Sequence, residues 1–319
     1  MIGYAADLLT GDPHWLMHPV IIMGREISFF ERLFRKVLPK TAFDERLAGL
    51  LIFIIMSVQA FCVPAAVLWV CHSISPYLRL FVESVMCWQC LATKSLRDES
   101  MKVFYALNAG DTEKARKAVS MIVGRDTEKL DDKGITRAAV ETVAENTSDG
   151  VIAPMLFLAV GGGAAGFLYK AINTMDSMLG YIEPPYKNIG MIPAKADDAA
   201  NLVPSRLSAV FMLISGAVLK MNVKNGLKIF TRDRYKHKSP NSAQTESVMA
   251  GLLEVRLAGD AYYNGVLHEK EYIGDGIKEI EYADIPRACR LLYVTSVLSL
   301  LVLAAVKFLI MIRVMRYAI

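Results

Sequence analysis

The chain has 319 residues, 54% of them hydrophobic and 21% charged, with a formal net charge of +4. A mean hydropathy of +0.33 is too high for an ordinary soluble domain, and the charges are too many for a bundle of bare spans. The composition points to an integral membrane protein with large water-facing loops, and so small a charge, spread between loops, excludes nucleic acid as an expected partner.

The amino terminus lacks a basic region and runs straight into Asp7 and Asp12, so no cleavable signal is expected there. A first polar cluster follows, DLLTGDPHWLMHPVIIMG from Asp7 to Gly24. Gly11, Asp12 and Pro13 make a turn, and His14 and His18 have a spacing that would share a helix face if Pro19 did not interrupt it. Asp12 and His18 suit phosphate or metal; the competing reading is a capped turn entering the membrane. A first span is expected at 47–72, with Pro64 inside it as a kink. A weaker one at 77–93 is interrupted by Arg79 and Glu83 and either crosses or lies along the surface.

The second cluster is a hydrophilic helix from Thr136 to Asp149. Glu141 and Glu145 are adjacent on one face, with Asn146 and Asp149 one turn along. Neighbouring carboxylates repel unless a cation bridges them, and hard oxygen ligands at this spacing suit Mg²⁺ beside a nucleotide phosphate. A solvated acidic face paired with Lys133 and Arg137 is the plainer alternative. The apolar runs Val151 to Val160 and Ala164 to Ile172 then flank Gly161, Gly162 and Gly163. Each run is about ten residues, roughly 15 Å as helix and half of a ~30 Å hydrocarbon core. A re-entrant hairpin over 151–175 is favoured over one long helix, because each glycine weakens a helix by roughly 1 kcal/mol.

The third cluster runs from Asn173 to Arg206. Asn173, Asp176 and Ser177 leave the hairpin; after a proline-rich loop, Lys195, Asp197, Asp198, Asn201 and Arg206 precede a short apolar run at 206–220, either a span or a buried helix. Asp197 and Asn201 share a helical face, with Lys195 and Arg206 as phosphate partners. In the fourth, RDRYKHKSPNSAQTE, the cations Arg232, Lys236 and His237 precede Ser239, Pro240 and Asn241, a turn able to present backbone N–H groups to an anion. The clearest span, 290–312, comes last; its Lys307 can snorkel. Cys87 and Cys90 form a lone CxxC, and all five cysteines read as structural. Lys and Arg crowd 25–46, 94–137 and 220–238, which places these segments on the cytoplasmic side.

GDPHWLMHPV, AVETVAENTSDGVIAP, NTMDSMLGY, AKADDAANLVPSRL, RDRYKHKSPNSAQTESVMAG and VRLAGDAYYNG together resemble the CobD/CbiB family, the membrane-bound adenosylcobinamide-phosphate synthases of cobalamin biosynthesis. The resemblance covers nearly the whole chain, in the family's order. It departs where the family carries a longer apolar segment ahead of the GDP motif, since ten residues precede Gly11 here. What it implies is ATP-dependent amide formation between a propionate carboxyl of adenosylcobyric acid and (R)-1-amino-2-propanol or its O-phosphate. Other membrane enzymes of cobalamin assembly are implied as partners beside the lipid bilayer.

Such a ligation must activate the acid as an acyl phosphate or adenylate, with ATP and Mg²⁺, cations around the phosphoryl group, and a base that keeps the amine neutral. No GxxxxGK[ST] loop is present to bind the nucleotide. The expected catalytic set is Glu141, Glu145, Asp176, Lys195 and His237. Metal would fall to Glu145, Asp149, Asp197 and Asp198. Substrate and phosphate would fall to Asp12, His18, Asn146, Asn173, Ser177, Asn201, Arg206, Arg232, Lys236, Ser239 and Asn241. For the clusters to meet, they must share one side of the membrane. The expectation is therefore an all-α, polytopic integral membrane protein with a re-entrant glycine-rich hairpin and helical cytoplasmic loops. Residues 1–319 form one membrane-embedded catalytic domain, multi-pass in the cell membrane, with its active site facing the cytoplasm. An AmpE-like membrane sensor and a small-solute transporter are the alternatives.

Overall fold

The structure is a computed structural model that describes residues 1–13, 17–181, 183–263 and 265–317; His14, singled out above, lies outside them. It is almost entirely helical, and its described residues form two compact units. The first holds Met1–Ala92 and Ala153–Asn201, the second Thr93–Ile152 and the chain from Leu202 onward.

The first unit contains α1 (Ile2–Thr10), α2 (Pro19–Val37), α3 (Ala42–Ile74), α4 (Pro76–Cys90), α8 (Ala153–Leu179) and α9 (Met191–Ala200). Sequence dictates several starts. His18 caps α2 by accepting from the Val20 N–H, with Pro19 at the first position, where no N–H is missed. Ser75 caps α4 ahead of Pro76 in the same way. Pro64 lies inside α3, which continues through it for 33 residues, about 50 Å at 1.5 Å per residue. At 15 residues, α4 reaches about 22 Å, short of a ~30 Å hydrocarbon core.

The helix α8 reverses at its glycines. Gly161 and Gly162 leave helical geometry, and Gly162 takes φ 63° with ψ −156°, a region only glycine adopts comfortably. The arms then pack on each other. The Phe157 and Tyr169 rings lie 4.9 Å apart, whereas twelve residues of continuous helix would separate them by about 18 Å. Leu158 rests against the bare Cα of Gly166. The favoured hairpin is what the chain forms. Its longer arm joins Met23, Ile27, Ile52, Met56, Ala171, Met175, Leu179 and Ile189 in the unit's core. Gly49 lets α3 approach the carbonyl of Ile189, the small-residue packing expected of helices in lipid.

The second unit contains α5 (Thr93–Asn108), α6 (Thr112–Ser120), α7 (Asp132–Asn146), a π-helical turn (Thr147–Ile152), α10 (Leu202–Val218), α11 (Val223–Asp233), α12 (Ser242–Leu253) and α13 (Asp284–Tyr317). Two short antiparallel ribbons, not anticipated from the sequence, interrupt the helices. Strand β1 (Leu257–Ala258) pairs with β4 (Tyr272–Ile273), and β2 (Ala261–Tyr263) with β3 (Val266–His268). Asp131 caps α7 through the Gly134 N–H at 2.7 Å. The outer half of α13 exposes Leu301, Val306, Phe308, Leu309 and Ile310, as a lipid-facing span should.

By length and composition, Ala42–Ile74, Asp132–Leu179 and Asp284–Val314 are apolar enough to cross a membrane, and α9 with α10 adds a fourth if counted together. The second of these carries the glycine reversal, so it is not one rod. The protein is an all-α, polytopic membrane protein.

Candidate functional site

Polar side chains gather in each unit, and the two gatherings differ in kind.

In the second unit the spacing of Glu141 and Glu145 on α7 puts both carboxylates on one face, and α12 supplies the partner of Glu145. Glu141 is buried; it forms an ion pair with Arg125 and accepts the Ala258 N–H at 2.6 Å. Glu145 accepts from the Ser242 hydroxyl at 3.0 Å. Directly after them the helix widens into the π-helical turn that carries Asp149, a distortion found at functional sites more often than chance allows. Glu246 lies one turn into α12 and is 6% exposed. Burial, and then the charges of Glu141 and Glu145, push its carboxyl well above the usual range despite the pull of Arg125.

His237 completes this centre. The Ser239 N–H donates to its Nδ1 at 3.1 Å, which leaves the ring proton on Nε2. Burial lowers its pKa below 6.5, opposed chiefly by the Glu145 carboxylate, so the imidazole is neutral at pH 7. An imidazole whose pKa is lowered and a buried carboxyl whose pKa is raised, set among further carboxyl groups, are ingredients of proton transfer.

The Ser239–Pro240–Asn241 turn sits at the start of α12 and is strapped to α10. The Ser205 hydroxyl donates to Asn241 Oδ1 at 3.1 Å, and Arg206 donates to the same oxygen at 3.0 Å and to the Pro240 carbonyl at 3.4 Å. Gln244 returns an amide to that carbonyl at 3.0 Å. Arg206 thus shapes the turn that presents His237. Arg232 forms a two-pronged pair with Asp233 at 2.7 Å and reaches Asp275. Lys236 lies 3.2 Å from Asp233 and donates to the Tyr272 carbonyl at 3.1 Å. Asp233 is fully buried; burial alone would raise its pKa, but Arg232, the Gly274 N–H and Lys236 hold it at about 2. Both cations named for phosphate therefore fasten the ribbon segment onto α11.

In the first unit the sequence-named residues form a closed network. Asn173 donates to Asp197 Oδ1 at 3.2 Å, Asn201 to Asp197 Oδ2 at 3.0 Å, and the Tyr169 hydroxyl to Asn201 Oδ1 at 2.9 Å. Both carboxylate oxygens of Asp197 are thereby occupied by amides that clamp α9 to α8. Asp198 is half-buried one position along, Lys195 is exposed, Asp176 is half-buried, and Ser177 is exposed and donates to the Asn173 carbonyl at 2.8 Å. Asp12 Oδ1 lies 3.8 Å from His18 Nε2. Burial lowers the His18 pKa, Asp12 raises it, and Lys170 lowers it further.

The sequence predicts four clusters meeting in one site; within the second unit Glu145 is joined to the start of α12 just after the Ser239–Asn241 turn, and within the first Asn173, Asp197 and Asn201 are joined to one another. Asn146 folds back onto the Thr142 carbonyl at 3.1 Å. Arg125 and Glu246 were missed. Arg125 stands in a segment read as a positive loop, and Glu246 is the one carboxylate within the otherwise uncharged α12. Among the described residues no three His, Cys, Asp or Glu side chains converge to hold a metal by themselves. Mg²⁺ beside a nucleotide needs no such cage, because one or two carboxylates and the phosphates suffice. Half-buried Glu145 and Asp149, one turn apart at the π-helical turn, fit that donor set.

Comparison with known proteins gives a consistent result. The family described as CobD/Cbib protein matches residues 1–292. The chain is 44% identical to the cobalamin biosynthesis protein CobD of Clostridium perfringens over 96% of both chains. It is 40% identical to the cobalamin biosynthesis protein CobD of Klebsiella pneumoniae, and 39% identical to the cobalamin biosynthesis protein CbiB of Salmonella typhimurium, each over 96% of both chains. No solved structure matches it.

Proposed function

The chain belongs to the CobD/CbiB family and acts in cobalamin biosynthesis, and from that premise we propose that it is an ATP-dependent amide ligase. It joins adenosylcobyric acid to (R)-1-amino-2-propanol O-phosphate, or to the free amino alcohol, and yields adenosylcobinamide phosphate or its dephosphorylated counterpart. The observation that carries the reading is the bond from Ser242, at the start of α12, to Glu145 beside the π-helical turn, with the turn just ahead of Ser242 bonded to His237 through the Ser239 N–H.

An amine attacks an activated carboxyl only when it is unprotonated, and at neutral pH it arrives as an ammonium ion. The carboxylates of Glu141 and Glu145 give that cation a partner, and the ion pair with Arg125 fixes Glu141 in place. Neutral His237 takes the proton, and Glu145 stabilises the imidazolium that results. Glu246 is buried beside the other two, and its raised pKa favours the protonated form, which can donate a hydrogen bond where a third ionised carboxylate would repel them. ATP with Mg²⁺ supplies the activation of the corrinoid carboxyl; Glu145 and Asp149 would hold the metal. Arg206 and Asn241 keep the turn ahead of α12 in the shape that aims His237. In this reading the protein lies in the cell membrane with this centre facing the cytoplasm, where ATP is available.

Purified protein in detergent, given adenosylcobyric acid, aminopropanol phosphate, ATP and Mg²⁺, should form product that depends on all four. Tight binding of the corrinoid with no product under any of these conditions would overturn the reading.

A further inference from the structure

The helix α2 has three faces. Its inner face carries Met23 and Ile27, with Phe30 and Phe34, into the core of the first unit. At 100° per residue, Ile22, Phe29 and Leu33 fall within about 40° of one another on a second face. They are 45%, 55% and 39% exposed. Beside that stripe Arg25, Arg32 and Lys36 form a ridge about 40° wide, all three exposed.

The charges on α2 are unevenly used. Glu26 accepts from Gln59 at 2.8 Å, Glu31 pairs with Arg35 at 2.9 Å, and Arg35 also donates to the Pro185 carbonyl at 2.9 Å. Arg25, Arg32 and Lys36 have no carboxylate partner among the described residues; the only bond of this ridge is Arg32 to the Ser28 carbonyl, on its own helix, at 3.1 Å. Glu26 is engaged by α3 and Glu31 by Arg35 of its own helix, so neither acid of α2 offsets the cationic ridge beside the apolar stripe. Lys40, also exposed, extends the ridge toward α3, which begins at Ala42.

We propose that α2 lies in the membrane interface, with Ile22, Phe29 and Leu33 in the acyl region and Arg25, Arg32 and Lys36 on anionic phospholipid headgroups. The chemistry argues for that occupant. An apolar stripe flanked by unpaired cations, joined by a short connector to a membrane-crossing helix, matches the boundary between acyl chains and negatively charged headgroups. A neutral apolar protein partner would leave three cations facing it uncompensated. The segment's cationic bias places it at the cytoplasmic leaflet, where anionic lipid is concentrated. This inference stands apart from the ligase reading, since α2 carries none of the acid–imidazole centre.

The test uses the full chain with Phe29→Trp, reconstituted in vesicles of equal parts phosphatidylcholine and phosphatidylglycerol, with bromine on the acyl chains of one lipid at a time. The added tryptophan fluorescence is read against the parent chain. Brominated phosphatidylglycerol should quench several-fold more than brominated phosphatidylcholine, since each cation on an anionic headgroup favours that lipid by about fivefold. Arg25→Gln, Arg32→Gln and Lys36→Gln together should bring the ratio to about one, while Arg25→Lys with Arg32→Lys should keep it. Equal quenching by both lipids in the parent charge background would overturn the headgroup assignment. No quenching by either, as a second copy or another protein over this face would give, would overturn the membrane assignment.

Discussion

Asp197 and Glu246 are carboxyls of nearly equal burial, 8% and 6% exposed, and their surroundings treat them in opposite ways. Around Asp197 each oxygen receives an amide hydrogen, from Asn173 and Asn201, and Tyr169 secures Asn201 in turn. The network is satisfied within itself and fixes one helix to another. Around Glu246, burial and the charges of Glu141 and Glu145, which outweigh those of Arg125 and Lys270, raise its pKa well above the ordinary value. A buried polar group that is fully bonded contributes rigidity. One whose pKa is displaced by burial and by neighbouring charges is suited to proton movement. The proposed function accordingly gives fastening to the first unit's polar residues and chemistry to the second's.

That division can be broken by substitution. The largest effect is expected at Glu145→Gln, which keeps the bond from Ser242 but removes the charge facing His237; ligation should fall about 10²–10⁴-fold with membrane insertion retained. A wild-type rate would dissolve the contrast. Gly162→Ala comes next. The residue sits at φ 63° and an added Cβ would meet the Glu83 carboxylate, so the hairpin should lose about 2–4 kcal/mol, read as a lower Tm in detergent. Asp197→Ala leaves two amides without an acceptor and should cost about 1–3 kcal/mol, while the protein that remains folded keeps its ligation rate within about tenfold. Abolished ligation in a well-folded Asp197 variant would show that the first unit does more than fasten.

Glu246→Gln should have the smallest effect on stability, and one confined to pH. The folded pKa of Glu246 lies above its ordinary 4.5, so above that pH the folded state binds a proton that the unfolded state has released. Stability therefore falls as pH rises from 4.5 toward the folded pKa, by at most about 1.4 kcal/mol per pH unit. The glutamine removes this slope, so its Tm should gain on the parent's at pH 8 relative to pH 5. Parallel Tm curves for the two proteins would mean that Glu246 is ionised in the fold.

The fold was legible where physics acts locally. Three adjacent glycines between runs too short to cross a bilayer announced the reversal that Phe157 and Tyr169 close, and the spacing of Glu141 and Glu145 placed both on one helix face. Long apolar runs gave α3 and α13. The assignments of cations were harder to read. Arg232 and Lys236 look free in a basic stretch, yet their partners Asp275 and Tyr272 lie about forty residues on, in and just after a ribbon that no alternating pattern announced. Arg206 looks like a phosphate ligand until the turn it braces is seen. Glu246 passes for one polar residue of a soluble helix because its burial is made by other elements. A π-helical turn has no sequence signature of its own, so the distortion beside Glu145 and Asp149 was invisible.

The central claim is that His237 in the second unit moves the proton during ligation. It is tested most directly by the ligation rate of His237→Asn against the parent from pH 5.5 to 9 with saturating substrates. Asparagine can still accept the Ser239 N–H in place of Nδ1, so the turn should survive while the titratable nitrogen is gone. The parent should lose activity as pH falls through a value below 6.5, where the imidazole becomes charged. The variant should be about 10²–10⁴-fold slower and should lack that acidic limb. A variant with the parent's rate and the parent's acidic limb would contradict the account.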